Sequence, residues 1–504
     1  MSALLRATSP ARFSPVSLQP LETLLATGGD ARLRLDAATG LNVYGCRPAP
    51  RPEAVAFSSS TASSISVPAW RRALAAWQRL AAGESADTLV EEVRGDLARV
   101  LGLTGTGSAI VFAPSGTDSM LHALAVTRAL RGGPQIGVLA AADETGSGVP
   151  QVVLGRHFSG STARGKAVPA GEPIAGLGEG NQLIALRLRD AAGEMRDAAE
   201  LDREAFAAVA RAVAAGRTVL LVAMDHSKLG NRAPSDEGLA EIQAAFGEAV
   251  QVVVDACQAR LGLGRLRAHL ERGRMVLLTG SKFFSGPPLS GALIVPPMLA
   301  WRLADATGLP PGLRDYSIAS DWPPAWQRMR ASLPAADNVG QMLRWTAALA
   351  EMEAWFAIPP ECRVAMLRGF AADVNRAIAG FDGLDLLATP ALADDEFPGP
   401  TIFPFFVRRR GQTLSAAACA TLHRLLNHDL GAALPSADPR ERALAALPCH
   451  IGQPVAVSGT DGACGVLRVS AGARIAAASG GSAEALRRVF AKVTLLLRHS
   501  DLMV

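Results

Sequence analysis

The sequence predicts an α/β fold, with a large domain built on a mainly parallel sheet sandwiched by helices and a smaller C-terminal α+β domain. Short, continuous apolar runs alternate with helical stretches through the middle of the chain, which is typical of parallel strands covered on both faces. The length of 504 residues exceeds one ordinary domain. Apolar residues make up 49% and charged residues 19%, so a globular protein with a sizeable core is expected.

Three segments are expected along the chain. Residues 1–75 are rich in proline and serine and weakly periodic, as in the serine run at 58–64, which favours an arm lying over a domain. Residues 76–325 form the predicted large domain. Residues 326–504 contain a linker helix, predicted from Val339 to Phe356, and the small domain.

The predicted strands of the large domain are short apolar runs that are bounded by polar or turn residues. They cover residues 109–112, 136–139, 183–186, 219–222, 252–254, 275–278 and 292–295. The C-terminal region has fewer strand signals, at 402–407 and 466–469 among others.

Composition excludes several classes of function. The net charge is +4 and the densest basic run is residues 408–410, so no nucleic-acid partner is expected. Six cysteines without a C-x-x-C pair and eight scattered histidines predict no metal site. No apolar run approaches 18 residues and the first 20 residues lack a signal-peptide core, so we expect a cytoplasmic protein that does not enter the membrane.

The first motif, residues 112–119, ends a predicted strand and opens a helix. Small residues at a helix start leave backbone N–H groups open to a phosphate. Residues such as Ser115 and Asp118 are also ordinary helix caps, and on this motif alone capping is favoured.

The second motif places Asp255 at the end of the apolar run 252–254. A carboxylate there needs a partner to offset its desolvation, and a protonated pyridine nitrogen would be one. An N-cap or a structural ion pair is an equally good interpretation of this motif taken alone.

The third motif places Lys282 after the run 275–278, among glycine, serine, phenylalanine and proline. Burial lowers the pKa of a lysine and favours the free amine that forms a Schiff base. The alternative is a structural lysine whose ammonium reaches solvent.

The fourth motif places Arg468 within the apolar run 466–469. A guanidinium matches a carboxylate as a bidentate fork, so this arginine is a candidate for binding a substrate carboxylate. An interdomain salt bridge is the alternative, and on this motif alone it is narrowly favoured.

Two nucleotide-binding motifs are rejected. Residues 160–167 resemble a P-loop but end in Ala167 where serine or threonine is required, and residues 176–181 lack the third glycine of a dinucleotide fingerprint. Ser115 does not lie in a G-x-S-x-G motif, so no serine hydrolase is predicted.

Together the four motifs resemble the pyridoxal 5′-phosphate (PLP) dependent superfamily with the aspartate aminotransferase fold (fold type I), and within it the class V branch that includes cysteine desulfurases. The resemblance covers residues 108–295 and resumes near Arg468, roughly half of the chain. The order and spacing of Asp255, Gln258, Lys282 and Arg468 make it specific.

The resemblance implies PLP as cofactor and a role for each matching residue. Lys282 would form the Schiff base, Asp255 would pair with the pyridine nitrogen, and Arg468 would hold the substrate carboxylate. The residues expected to contact the phosphate are Gly116, Thr117, Asp118, Thr279 and Ser281. Gln258 and Ser227 would contact the 3-oxygen of the ring, and Thr145 would contact the ring face.

Some positions depart from the family pattern. Asp118 would bring a negative charge next to the phosphate, so we expect its side chain to turn away and only its N–H to contribute. Thr145 cannot stack as the usual histidine does, and His226 competes with Ser227 for the ring. No cysteine lies between Cys362 and Cys419, where a desulfurase carries its mobile sulfur-accepting loop, so persulfide chemistry is not expected.

The expected function is that of an aminotransferase acting on a small amino acid or amine. A PLP-dependent lyase, decarboxylase or epimerase is the main alternative, because the same residues serve each reaction. A non-catalytic binding protein is disfavoured because both Asp255 and Lys282 are present. Tyr44 and Tyr316 could line the substrate side-chain pocket, although surface-loop roles are commoner for such residues.

The resemblance also implies a homodimer with active sites at its interface. Ser332 is a weak candidate for a phosphate ligand donated to the partner subunit, and the arm at residues 1–75 would gain stability by lying across that subunit.

Overall fold

The computed structural model describes residues 18–499 except 391, 393, 435–437, 460–461 and 478–481. The strands are β1 Val55–Phe57, β2 Ala109–Ala113, β3 Gln135–Leu139, β4 Gln182–Ala185, β5 Thr218–Met224, β6 Val250–Asp255, β7 Met275–Thr279, β8 Gly291–Val295, β9 Leu384–Leu386, β10 Ile402–Arg409, β11 Gln412–Thr413, β12 Cys449–Gly459 and β13 Gly462–Ser470. The α-helices are α1 Leu21–Leu25, α2 Val67–Ala81, α3 Ala86–Val100, α4 Gly116–Arg131, α5 Val149–Val153, α6 Ala198–Ala214, α7 Asp236–Phe246, α8 Leu263–Glu271, α9 Pro297–Ala304, α10 Gln327–Ala331, α11 Val339–Phe356, α12 Pro360–Ile378, α13 Ala416–Leu426, α14 Pro439–Ala446 and α15 Ser482–Arg498.

The large domain contains a seven-stranded sheet in the order β2-β8-β7-β6-β5-β3-β4. Neighbouring strands are parallel except β8, which is antiparallel to both β2 and β7. Every residue of β3, β6, β7 and β8 is buried, as expected for strands covered by helices on both faces. The predicted fold class is confirmed.

The seven apolar runs predicted in this region coincide with β2 to β8. Strands β5, β6 and β7 are adjacent and parallel, so their carboxyl ends meet at one edge of the sheet. Because Asp255 ends β6 and Lys282 follows β7, the fold brings these two positions together at that edge.

The C-terminal region contributes most of a second sheet, in the order β1-β12-β13-β10-β11, with β9 pairing with β10. Strands β10 and β13 and helix α11 lie where the sequence predicts them. Strand β12 escapes prediction because Gly452, Gln453 and Pro454 interrupt its apolar pattern, and its register with β13 shifts between Gly452 and Val455.

The described part of the N-terminal segment packs against its own chain. Strand β1 pairs in parallel with β12, and the buried side chains of Leu21, Leu25 and Ile65 belong to the main hydrophobic core. The expected boundary at residue 75 falls inside α2. Residues 1–17 of the predicted arm lie outside the described residues.

None of the helices in the described ranges combines the length and the apolar character that a membrane crossing requires.

Candidate active site

A cavity of about 390 Å³ opens at the carboxyl edge of the large sheet. The N-terminal segment and the small sheet also border it. Its lining includes Asp30, Arg32, Tyr44, Ser60, Thr61, Ser115, Gly116, Thr117, Gly146, Gly148, Phe158, Lys228, Asp255, Cys257, Thr279, Ser281, Lys282, Gln453 and Arg468.

One end of the cavity is formed by the first turn of α4. Ser115 caps this helix, because its Oγ accepts a hydrogen bond from the N–H of Asp118 at 3.3 Å. The N–H groups of Gly116 and Thr117 have no acceptor within the helix and border the cavity together with Ser281. This end is therefore suited to an anion.

Glycine is required at position 116 for a steric reason. A Cβ atom there would lie 2.6 Å from Cys257 Sγ and 3.3 Å from Thr279 Cγ2. The loop after β6 can approach the start of α4 because this atom is missing.

The Asp118 side chain is turned away from the cavity and is 1% exposed. Its Oδ2 accepts a hydrogen bond from Ser115 Oγ at 2.5 Å. Burial raises the pKa of this carboxyl to about 7; nearby Asp30 raises it further, whereas Arg32 lowers it. This orientation agrees with the expectation that the Asp118 side chain turns away from the phosphate site. The N–H of Asp118 donates to Ser115 Oγ in this arrangement, so its predicted contact with a phosphate does not fit here.

Asp255 ends β6 with its carboxylate facing the cavity. Its Oδ1 accepts a hydrogen bond from the N–H of Cys257 at 3.1 Å. Within the described part of the chain no lysine, arginine or histidine forms an ion pair with it. A buried carboxylate without a cationic partner leaves room for a cationic ligand.

Lys282 follows β7 and also faces the cavity. The described residues give its Nζ neither a hydrogen bond nor an ion pair. Burial is the main cause that lowers the pKa of this ammonium below its ordinary value. The amine is thereby favoured in its neutral, nucleophilic form.

Arg468 borders the cavity, but most of its donors are already used. Its Nε and Nη2 donate to the Gln453 carbonyl at 2.9 and 2.7 Å, Nη1 donates to the Lys228 carbonyl at 2.8 Å, and Nη2 also donates to Thr61 Oγ1 at 3.0 Å. One of the five N–H groups of the guanidinium has no acceptor among the described residues. The predicted bidentate binding of a carboxylate by Arg468 therefore does not fit this arrangement.

Thr279 borders the cavity as predicted, but its hydroxyl donates to the Cys257 carbonyl at 2.7 Å. It can still accept a hydrogen bond but has no second proton to donate to a phosphate. The predicted donation from Thr279 to a phosphate does not fit this arrangement, whereas Ser281 remains a candidate donor.

Three other predicted contacts lie outside the cavity lining. Gln258 donates from Nε2 to the Ser60 carbonyl at 3.1 Å, and its Oε1 accepts from Arg260 at 2.8 Å. Ser227 donates to the buried carboxylate of Glu144. Thr145, which follows Glu144 in the sequence, is buried and does not line the cavity.

Gln258 and Ser227 are thus held by hydrogen bonds to other protein groups, whereas Thr145 Oγ1 is buried without a hydrogen-bond partner among the described residues. None of the three predicted cofactor contacts fits this arrangement. His226, the alternative to Ser227, does not line the cavity either, because its Nδ1 lies 2.7 Å from Asp225 Oδ2 in a buried pair.

Sequence reasoning missed several lining residues. Arg32 comes from the N-terminal segment, forms hydrogen bonds of 2.7 to 3.0 Å with Asp30, and donates to Ser115 Oγ at 2.9 Å. Thr61 lies in the turn after β1 and Gln453 lies in β12, and neither belongs to a motif. Tyr44, which the sequence left open, does line the cavity. Lys228 carried a usable signal, because lysine is rare in this chain.

No family model and no curated protein sequence matches the chain. Solved structures do match over nearly its whole length. The cysteine desulfurase CsdA of Escherichia coli superposes with a TM-score of 0.54 at 16% identity, covering 91% of this chain and 97% of that one. Tryptophan decarboxylase of Catharanthus roseus gives 0.52 at 15% identity, covering 98% and 91%.

A third match is the glutamate decarboxylase domain of a diaminobutyrate-pyruvate transaminase and L-2,4-diaminobutyrate decarboxylase from Vibrio parahaemolyticus, with a TM-score of 0.51 at 15% identity, covering 90% and 82%. The chain thus has the fold of the fold type I PLP-dependent enzymes. At these identities the likeness establishes the fold, and the chemistry has to be argued from the site.

Proposed function

We propose that this protein is a PLP-dependent enzyme acting on the amino group of a small amino acid or amine. The observation that carries the proposal is the pairing of Lys282 and Asp255 in one cavity. Among the described residues, the Lys282 amine has neither a hydrogen bond nor an ion pair, and Asp255, at the end of the adjacent strand, is a buried carboxylate without an ion pair.

The residues present fit this cofactor by their chemistry. The amine of Lys282 would hold the aldehyde carbon, and the Asp255 carboxylate would hold the protonated pyridine nitrogen. The N–H groups of Gly116 and Thr117 and the hydroxyl of Ser281 would hold the phosphate. When bound, PLP supplies an electron sink for negative charge that develops at the substrate Cα.

The chain's own groups would then do three things. The Asp255 carboxylate keeps the ring nitrogen protonated, which preserves the electron sink. The Lys282 amine would act as the base that takes the proton from the substrate Cα. The buried walls around both residues limit the access of water.

Aminotransfer, which the resemblance in sequence implies, and decarboxylation, which is the activity printed for two of the similar structures, are equally supported candidates. The two reactions differ in their products. A keto acid together with stoichiometric aminated cofactor would support transfer, whereas release of CO₂ and an amine without an amino acceptor would support decarboxylation.

Borohydride reduction of the PLP-loaded protein followed by peptide mapping tests the cofactor site. We expect the pyridoxyl group on Lys282. The chain has four lysines, Lys166, Lys228, Lys282 and Lys492, so each is resolved by mapping. Lys282→Ala is the matched control and should take up no label. A pyridoxyl group on Lys228, or a protein that takes up no PLP, would contradict the proposal.

A further inference from the structure

Two of the four lysines in this chain, Lys228 and Lys282, line the same cavity. Arginine supplies nearly all of the other positive charge in the sequence. Lys228 lies in the loop after β5, at the sheet edge where Asp255 and Lys282 are found. The proposed function gives Lys282 a role and leaves Lys228 without one.

The ammonium of Lys228 is not neutralised by the described part of the protein. Its backbone N–H bonds to the Glu144 carbonyl, but its Nζ has neither a hydrogen bond nor an ion pair. The carboxylate of Glu144 is occupied by Arg189 at 2.9 Å, by Asn231 at 2.8 Å and by Ser227.

Burial, Arg468 and Lys282 together lower the pKa of Lys228 to about 8, while Glu144 raises it. The side chain therefore remains mostly charged at neutral pH. An unpaired ammonium on a cavity wall favours an anionic ligand.

Arg468 is a second cation at this wall for which the described part of the chain supplies no ion pair. Four of its N–H groups bond to neutral oxygens, so its charge is not cancelled. One of those oxygens is the carbonyl of Lys228, which fixes the two residues next to each other.

The remaining charges of the cavity lining are accounted for. Arg32 is paired with Asp30 at 2.7 Å. Under the proposed function, Lys282 and Asp255 are both committed to the cofactor. Lys228 and the last N–H of Arg468 are left for the substrate.

We propose that Lys228 binds the carboxylate of the substrate, with Arg468 adding a single N–H and mainly bracing the loop that carries Lys228. The inference rests on the proposed function, because it takes the ligand to be amino-acid-like. It assigns charge recognition to an ammonium, which tolerates a wider range of carboxylate orientations than a bidentate guanidinium does.

Calorimetric titration of the borohydride-reduced holoenzyme tests this, because that form binds without turning over. The probes are propionate and its uncharged analogue propionamide. The wild type should bind propionate more tightly. Lys228→Gln should weaken propionate binding roughly tenfold or more, as expected for loss of a charge-assisted hydrogen bond, and leave propionamide unchanged. Lys228→Arg keeps the charge and should recover part of the affinity.

Lys166→Gln is the matched control, because Lys166 is an exposed lysine paired with Asp315. It should behave as the wild type. A pyridoxyl group on Lys282 combined with unchanged propionate binding in Lys228→Gln would overturn this inference alone. Equal affinity of the wild type for the two probes would also overturn it. Absence of pyridoxyl from Lys282 would overturn the proposed function and this inference with it.

Discussion

At the scale of single residues, Asp118 shows how burial changes the chemistry of a carboxyl group. The side chain is enclosed at the start of α4, where one oxygen accepts a hydrogen bond from Ser115 and the other, Oδ1, has no partner among the described residues. Its pKa is about 7 in the folded protein against 3.8 in a free side chain. The folded state therefore holds a proton that the unfolded chain releases over this range.

This difference gives a pH dependence of stability with a definite sign. As the pH rises from about 4 to about 7, the unfolded state loses the Asp118 proton first, so the contribution of this group to the free energy of unfolding falls. Asp118→Asn removes that contribution. We expect the stability of the variant relative to the wild type to increase from pH 5 to pH 8 in urea unfolding of the apo protein. A constant difference across this range would contradict the raised pKa.

At the scale of elements, the start of α4 and the loop after β6 are packed as closely as their side chains allow. In Gly116→Ala, the new Cβ would meet Cys257 Sγ at 2.6 Å and force the two segments apart. Because the N–H groups of this turn are the proposed phosphate donors, we expect PLP affinity to fall roughly tenfold, about 1.4 kcal/mol. Absorbance titration with PLP measures the dissociation constant of the cofactor in the wild type and in the variant.

Two variants separate this steric effect from a general effect of losing a glycine. Gly95→Ala lies in α3, where an added Cβ meets nothing within 4 Å, and should leave PLP affinity unchanged. Cys257→Ala combined with Gly116→Ala removes the clashing sulfur and should restore part of the affinity. No recovery in the double variant would contradict the steric explanation.

At the scale of the whole molecule, we propose that the protein is a homodimer. Ser332, the predicted ligand across the interface, donates its hydroxyl to the Met329 carbonyl at 2.7 Å and does not line the cavity of its own chain. Helix α9 exposes Met298 and Trp301 by 71% and 75%, and such residues are enriched at interfaces.

Light scattering on the dilute, PLP-loaded protein should give twice the chain mass of 52.3 kDa. An obligate interface of roughly 2,000 Å² or more would keep the dimer together on dilution. Activity should be lost in step with dissociation, because each site is expected to draw on both subunits. A monomer with full activity would refute the shared site.

The cytoplasmic location stays a prediction.

The local sequence pattern was sufficient to predict the strands of the large domain and the positions of Asp255 and Lys282 at the ends of two of them. An apolar run of a few residues is buried because of its own composition, and parallel neighbours necessarily present their carboxyl ends at one edge. The proximity of residues at those ends can therefore be predicted without information about the rest of the chain. The same argument located the start of α4, since a helix terminus leaves its N–H groups free.

Only the tertiary structure decided where the other polar side chains point. Gln258 bonds to Ser60 and Arg260, Ser227 bonds to Glu144, and four donors of Arg468 are used by Gln453, Thr61 and Lys228. Most of these partners come from segments far apart in the chain, as with Ser60 and Gln258 or Thr61 and Arg468, whereas Arg260 lies two residues from Gln258. A buried polar group bonds to whatever donor or acceptor the fold brings near it, because an unpaired buried polar group costs free energy. Its neighbours in sequence therefore do not determine its partner.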